Sequence, residues 1–448
     1  MGNYPSRYNY SYKINPKYTF INNNLTGAVD IINSDIWDLF LTSDFNKIPN
    51  KIVNKLVDRG YLYKNSEEES FVLKKLYSSF LKISKNRSKR LVFCPTYYCN
   101  LSCIYCFEKE INFHSSSFNS EVLSSFFNFI KSSKMKFNSI ELYGGEPLLP
   151  KNKDIISEIL LFSEKKNLNI SVITNGTYIN KYLDLLCRLR KNIEMIQITL
   201  DGTKKIHDNR RVFRSGKGSF DLITNNIRLL IDNKINTNLR VNIDNDNIDN
   251  IPELYSFVLN NRWLDSSNFD IKLALVTNHK EGGSNFHPEI ILEKIIKLYN
   301  KNPKLEKLFG FSAFKQLRNI LSILNGAKNV APRFINCETN LLELLIFCQD
   351  GYIYTCPESI GNTNLAIGQF HPSFSYFENK KNIWLTKNIF SFTECRNCKF
   401  SLICGGGCTY SSLINSNGVI PVCEKYNEVL NTFFKYKGEL ILNKTFSL

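Results

Sequence analysis

Three thiols stand close together at Cys99-Asn-Leu-Ser-Cys103-Ile-Tyr105-Cys106. Thiolates at short spacing bind zinc or iron–sulfur clusters. Three of them can hold three irons of a cubane and leave the fourth without a protein ligand, open to a substrate or cofactor. A four-cysteine site is closed and suits electron transfer or structure. Zinc is the competing reading of the triplet, and the sequence downstream bears on the choice. Gly144-Gly145-Glu146-Pro147 follows the apolar run Ser139–Tyr143, and Thr174-Asn175-Gly176-Thr177 follows Ile170–Ile173. Both lie where a predicted strand ends. Glycine there lets a backbone come close to a ligand that a side chain would obstruct.

Taken in this order, the triplet with Tyr105 and the two strand-end motifs resemble the radical S-adenosylmethionine superfamily, over about Leu91 to Val276. The resemblance implies that Cys99, Cys103 and Cys106 ligate a catalytic [4Fe-4S] cluster whose fourth iron is chelated by S-adenosyl-L-methionine. It further implies cofactor contacts from Tyr105, Gly144, Gly145, Glu146, Thr174 and Asn175. A hydroxyl at the Thr199 position and an arginine nearby would receive the cofactor's carboxylate. Of Arg210 and Arg211 we expect Arg211, since a guanidinium fork suits a carboxylate.

A second array occupies the last third of the chain. Cys395-x2-Cys398-x5-Cys404-x3-Cys408 precedes Cys423 and follows Cys337-x13-Gly351-x4-Cys356. These seven cysteines and the glycine are similar to the SPASM domain. By that resemblance Cys395, Cys398, Cys404 and Cys423 hold one auxiliary [4Fe-4S] cluster, and Cys337, Cys356 and Cys408 the other. Cys348 is the nearest candidate for a fourth ligand. Ligands so far apart in sequence would also tie a loop-rich region together. Cys94 and Cys187, on a strand and a helix, read as small apolar residues.

The elements that must position these groups follow from the sequence pattern. Residues 7–33 read as a small antiparallel sheet, with Ser34 capping a helix to Leu41, Pro49 opening another to about Gly60, an exposed extended piece at Tyr61–Tyr63, and a long helix from Ser66. From Arg90 the rhythm is strand then helix, with strands expected at Leu91–Cys94, Ser139–Tyr143, Ile170–Thr174, Met195–Leu200, Asn238–Ile243 and Asp270–Val276. Helices such as Asn119–Ser132, Lys153–Lys165 and Ser219–Asp232 lie between them. Six parallel βαβ units imply an α/β fold, a partial (β/α)6 TIM-like barrel open on one side. The expected organisation is an N-terminal α+β module resembling peptide-recognition modules (1–88), the barrel core (89–305), a helical linker (306–336), the SPASM domain (337–430) and a tail (431–448).

With 448 residues, 43% hydrophobic and 22% charged, the chain reads as globular and of more than one domain. It shows neither a membrane-spanning run nor an apolar signal core, and a cytoplasmic location is expected. The start Met1-Gly2-Asn-Tyr-Pro-Ser6 matches a loose acylation pattern that we read as chance. Thirteen cysteines in so long a chain fit metal ligation better than a disulfide scaffold. The net charge of +16 follows a lysine-rich bias along the whole sequence, and the cluster Lys82–Arg90 reads as a solvated junction. No nucleic-acid or membrane partner is expected.

The function implied is maturation of a ribosomally made precursor peptide with a leader. A deoxyadenosyl radical would abstract hydrogen and a cross-link would follow, a thioether first among the candidates. The electron would come from a donor such as flavodoxin or ferredoxin. One alternative is an anaerobic sulfatase-maturating enzyme, which makes formylglycine. Those enzymes carry an aspartate directly after the cysteine of the Gly-x4-Cys element. Here Pro357 follows Cys356, and Glu358 is expected to point elsewhere on an extended chain. A second alternative, an iron–sulfur electron carrier or sensor, would need no S-adenosylmethionine pocket.

Overall fold

The computed structural model describes residues 4–442 apart from 86, 112–117, 278, 280–286 and 328. Of the acylation-like start Met1–Ser6, residues 1–3 lie outside those described.

A ten-stranded sheet organises the molecule. Six strands, Lys89–Cys94, Phe137–Leu142, Asn169–Thr174, Ile193–Thr199, Thr237–Ile243 and Phe269–Leu275, lie side by side in sequence order, every neighbouring pair parallel. Helices Ser120–Ser132, Lys153–Lys165, Ile179–Arg188 and Phe220–Asp232 fall between strands, as a parallel sheet requires. These are the six expected βαβ units.

The strands alternate along most of their length. Ile140, Leu142, Ile170, Val172, Ile196, Ile198, Leu239, Val241, Ile271 and Leu273 are buried in the apolar core. Residues of opposite parity, among them Gln197, Thr199, Arg240 and Lys272, line cavities on the sheet's other face. The polar inner face is therefore written into the strands at period two.

The sheet does not end with the barrel. Leu344–Cys348 adds a seventh parallel strand beside Lys89–Cys94, and three short antiparallel strands follow, Tyr352–Tyr354, Gly368–Gln369 and Ser375–Tyr376. The cysteine-rich region is thus grown directly onto the barrel's first strand.

At the N-terminus three antiparallel strands, Asn9–Lys13, Tyr18–Asn23 and Val29–Asn33, form the expected small sheet. The helix Ser34–Leu41 is capped one residue earlier than the sequence predicts, by Asn33, whose side chain accepts from the Asp35 and Ile36 amides. Ser34 instead bonds to Thr19 Oγ1 across 2.9 Å. Tyr61–Tyr63, predicted to be exposed, is buried, because Leu62 and Tyr63 pair with the first strand, Tyr4–Pro5. The helix Tyr426–Lys437 runs across residue 430 and packs against Pro288–Lys301. Among the described residues no helix is long and apolar enough to cross a membrane.

Candidate active site

The cysteine triplet sits in the loop after the first barrel strand. Cys99, Cys103 and Cys106 line a cavity of about 450 Å³ together with Tyr105, Gly144, Gly145, Thr174, Asn175, Thr199 and Arg211. The carboxyl ends of four strands converge here, the place where open parallel sheets bind ligands.

Close backbone approach holds the loops together. A Cβ on Gly145 would fall 2.4 Å from the Tyr98 carbonyl oxygen, and one on Gly144, at φ +115°, would fall 2.4 Å from Cys94 Sγ. Only glycine fits either place.

Burial pushes the Cys99 thiol up to about 12 and Cys106 to about 11, with Glu146 adding to the first and Glu108 to the second. Each also feels Cys103. Three mutually repelling thiolates in such a place need a cationic centre to ionise. Among the described residues no three or more His, Cys, Asp or Glu side chains group tightly enough for a single metal ion. Mononuclear zinc needs all its sulfurs about 2.3 Å from one centre, whereas a cubane spreads them over separate irons.

Arg211 and Arg210 are adjacent and do different work. Arg210 commits both terminal nitrogens to Asp244, in a bidentate pair at 3.1 and 2.7 Å, and its Nε lies 3.5 Å from Asp201. Arg211 donates to Tyr105 Oη at 2.7 Å and keeps a buried Nε without a partner. Burial works against its charge, but Cys103, Tyr105 and Asp201 more than offset that. Tyr105 in turn donates to Asp201 at 2.5 Å and accepts from Asn242 at 3.0 Å. Burial and the two arginines drive His207 far below its usual range, so it is neutral. Its Nδ1 accepts from the Asp201 amide at 3.3 Å, which leaves the proton on Nε2, facing Ser219.

Glu146, expected among the cofactor contacts, is turned away from the cavity. It is completely buried, and its oxygens accept from Thr174 Oγ1 at 2.7 Å, the Asn175 amide at 2.7 Å and the Leu148 amide at 2.9 Å. It fixes one strand-end loop to the other, and so positions Asn175, whose amide reaches Asn100 at 2.7 Å and Cys99 Sγ at 3.5 Å.

The downstream cysteines fall into two groups. Cys395, Cys398, Cys404 and Cys423 line one cavity of about 290 Å³. Burial raises Cys356 most, and Cys408 and Cys337 raise it further, so these three form the other group. Gly405, Gly406 and Gly407, all at positive φ, join Cys404 of the first to Cys408 of the second. Cys348 belongs to neither. It lies on the strand Leu344–Cys348, in register with Cys94 and beside Tyr97, and burial raises its thiol well above the usual range. Its side chain is buried with Cys94, Tyr97 and Tyr354.

Two residues near the triplet were not singled out from sequence, and a third was misread. Glu108 is buried, and burial with the charges of Glu358 and Glu146 pushes it up to about 8. Tyr143 lines the same cavity, its phenol driven up by burial and then by Glu108 and Glu358. Glu358 is the third, and its expected direction is overturned. Pro357–Ser359 is a 3-10 turn rather than an extended chain, and it swings Glu358 toward Glu108 and to 3.9 Å from His279 Nε2. The sequence signal for Glu108 was its place two residues beyond Cys106. For Glu358, proline at the first position of a turn was available.

Residues 93–258 match the family model of the radical SAM superfamily. Those residues form a radical SAM domain. This radical SAM enzyme is 29% identical over 339 residues to a cysteine-type anaerobic sulfatase-maturating enzyme of Clostridium novyi (strain NT), spanning 69% of this chain and 84% of the relative. It is also 33% identical over 148 residues to the antilisterial bacteriocin subtilosin biosynthesis protein AlbA of Bacillus subtilis (strain 168), over 31% of this chain and 30% of that protein. Its fold matches the solved structure of native anSMEcpe with bound AdoMet at a TM-score of 0.61 and 20% identity, covering 79% of this chain and 98% of that one. The superfamily's cofactors are S-adenosyl-L-methionine and a [4Fe-4S] cluster, and the cavity's three thiols, glycine-lined loop and orphaned Arg211 Nε fit them. The two downstream cysteine groups are consistent with auxiliary clusters.

Proposed function

We propose that this radical SAM enzyme modifies a ribosomally made precursor peptide, and that the product is an intramolecular cross-link, a thioether first. One observation carries the reading. A second cavity of about 490 Å³ joins the polar inner face of the strands to Cys408 and Cys423, one thiol from each downstream group. A peptide residue in it lies between the site that starts the chemistry and the sites that would take up an electron.

When bound, the cluster held by Cys99, Cys103 and Cys106 together with S-adenosylmethionine supplies the deoxyadenosyl radical that removes hydrogen from a C–H bond. The rest falls to the chain. Gly144 and Gly145 leave room for the cofactor's methionine end, and Thr199 with Arg211 holds its carboxylate. Tyr105, braced by Asp201 and Asn242, fixes the Arg211 fork, and Glu146 keeps the two strand-end loops in register. Near-attack positioning of this kind is where the protein's share of the rate arises. In this reading two auxiliary [4Fe-4S] clusters sit on Cys395, Cys398, Cys404 and Cys423 and on Cys337, Cys356 and Cys408. The module of residues 1–88 receives the leader, and a flavodoxin- or ferredoxin-like donor supplies the electron.

A second reading is favoured by Glu358. Turned toward Glu108 and Tyr143, its carboxylate is placed to accept a proton, which formylglycine formation on a cysteine or serine requires and Pro357 cannot provide. Sulfatase maturation therefore stays beside peptide cross-linking.

Anaerobic incubation of reconstituted enzyme with S-adenosylmethionine and a strong reductant yields 5'-deoxyadenosine, and Cys103→Ala abolishes it. No product from the wild type, or an undiminished amount from Cys103→Ala, refutes the enzyme reading. Mass spectrometry of small peptides encoded beside this gene, after co-expression, separates the two products. A cross-link removes two hydrogens and consumes a thiol while keeping its sulfur, whereas formylglycine made from cysteine exchanges that sulfur for a carbonyl oxygen.

A further inference from the structure

The cavity between the barrel strands and the cysteine-rich region has several cations on its wall, and all but one have carboxylate neighbours. Lys272 Nζ lies 2.8 Å from Asp270, and Lys315 Nζ lies 2.5 Å from Glu424. Arg240 is the exception: it forms no ion pair among the described residues.

The strand and a neighbouring amide fix its position. Strand Thr237–Ile243 sends Leu239 and Val241 into the core and Arg240 to the inner face, where it lines this cavity. Arg240 Nε donates to Asn242 Oδ1 at 2.7 Å, and Asn242 Nδ2 donates to Tyr105 Oη at 3.0 Å. The guanidinium is thus anchored at one edge to the hydrogen-bond system around Arg211. The two terminal nitrogens have no hydrogen-bond partner among the described residues and are not sealed from the cavity. Burial opposes the charge of this side chain, with Tyr143, Tyr105 and Asp201 acting in its favour. A guanidinium held rigid at Nε, with its terminal nitrogens open, matches a carboxylate in a bidentate pair.

We propose that Arg240 receives a carboxylate of the substrate, an acidic side chain or a free C-terminus, in the cavity next to the cofactor site. This deepens the function proposed above and rests on the substrate being a peptide. The cofactor's own carboxylate is the competing occupant. Thr199 and Arg211 line the cysteine-triplet cavity, and Arg240 lines only the neighbouring one.

Binding to the reconstituted holoenzyme, held with S-adenosylhomocysteine so that no turnover occurs, tests this by isothermal calorimetry. Three probes suffice: an acetylated peptide amide Gly-Asn-Cys-Asn-Gly, the same peptide with one asparagine replaced by aspartate, and the same peptide ending in a free acid. The expected result is about 10-fold or tighter binding of at least one carboxylate peptide over the neutral amide, the two acidic arms identifying the source. Arg240→Gln removes that preference, Arg240→Lys restores part of it, and both keep their affinity for S-adenosylhomocysteine, which also reports that they fold. Equal binding of all three peptides, no binding by any, or a preference that survives Arg240→Gln overturns the proposal. So does loss of S-adenosylhomocysteine binding in both variants. Because the readout is binding, absence of 5'-deoxyadenosine would refute the enzymatic reading without deciding this one.

Discussion

At the scale of single residues the site separates groups that would touch a ligand from groups that hold them. Arg211 is of the first kind, with a charged fork and a buried nitrogen still lacking an acceptor. Replacing it with methionine removes the fork and the donor to Tyr105 Oη, while Asp201 keeps Arg210 at 3.5 Å. Affinity for S-adenosylmethionine should fall by about 10- to 100-fold, as measured by equilibrium dialysis, the effect of losing a charge-assisted pair. Glu146 is of the second kind. Burial pushes its carboxyl up to about 6, against the lowering effect of its three donors and Arg211. The sign follows from that direction. Between about pH 4.5 and 6 the folded chain keeps a proton on Glu146 that the unfolded chain has released, so stability falls as pH rises through that window, by about 2 kcal/mol in all. Below the window both states are protonated and the term is constant. Glu146→Gln should flatten this component, and unfolding midpoints of the two proteins against pH would show it. Parallel curves would mean that Glu146 is ionised throughout.

Elements decide which of these residues were legible. Five of the six barrel strands announced themselves as β-branched or alternating runs and the first as the short run Leu91–Cys94, and their order along the chain is their order in space, so the triplet cavity could be foreseen. Leu344–Cys348 could not. A run of five apolar residues is ambiguous between strand and buried helix, and its partner lies some 250 residues earlier. That strand is what sets Cys348 beside Cys94. Glu358 was misread for a local reason, since one 3-10 turn reverses the side that alternation assigns. The glycine triplet shows an element acting on both cysteine groups at once. Gly407 sits at φ +76° with a would-be Cβ 2.1 Å from the Val422 carbonyl oxygen. An alanine there must push away the backbone that leads into Cys423 while straining its own. Gly407→Ala should therefore reduce bound iron from about twelve per chain, the content of three [4Fe-4S] clusters, to about eight or fewer. Iron and sulfide analysis after anaerobic reconstitution checks this, and an unchanged count would show that the two groups tolerate relative movement.

On the scale of the whole molecule the two ends of the chain are packed into one body. Phe434, on the helix Tyr426–Lys437, lies with its ring 4.5 Å from Phe20, 5.0 Å from Tyr12 and 6.1 Å from Tyr10 of the N-terminal sheet. Tyr10 also meets Phe400, between Cys398 and Cys404, at 5.4 Å, and Asn24 Nδ2 donates to the Lys399 carbonyl at 2.8 Å. The same helix turns Phe433 onto Phe311 at 5.5 Å, beyond the last barrel strand. An N-terminal module free to swing would not share an aromatic core with the loop between two cysteines of one group. Phe434→Ala opens a cavity where sheet, helix and cysteine-rich region meet. It should cost about 3–5 kcal/mol, as truncating a buried phenylalanine does. The loss should be felt at both ends, since the packing is shared. Hydrogen exchange of the intact holoprotein should show Tyr18–Asn23 and Ser401–Cys404 losing protection together, while Ile193–Thr199 in the barrel stays protected. If only Tyr18–Asn23 became labile, the N-terminal sheet would be an appended module, and a leader peptide bound there could not bear mechanically on the cysteine groups.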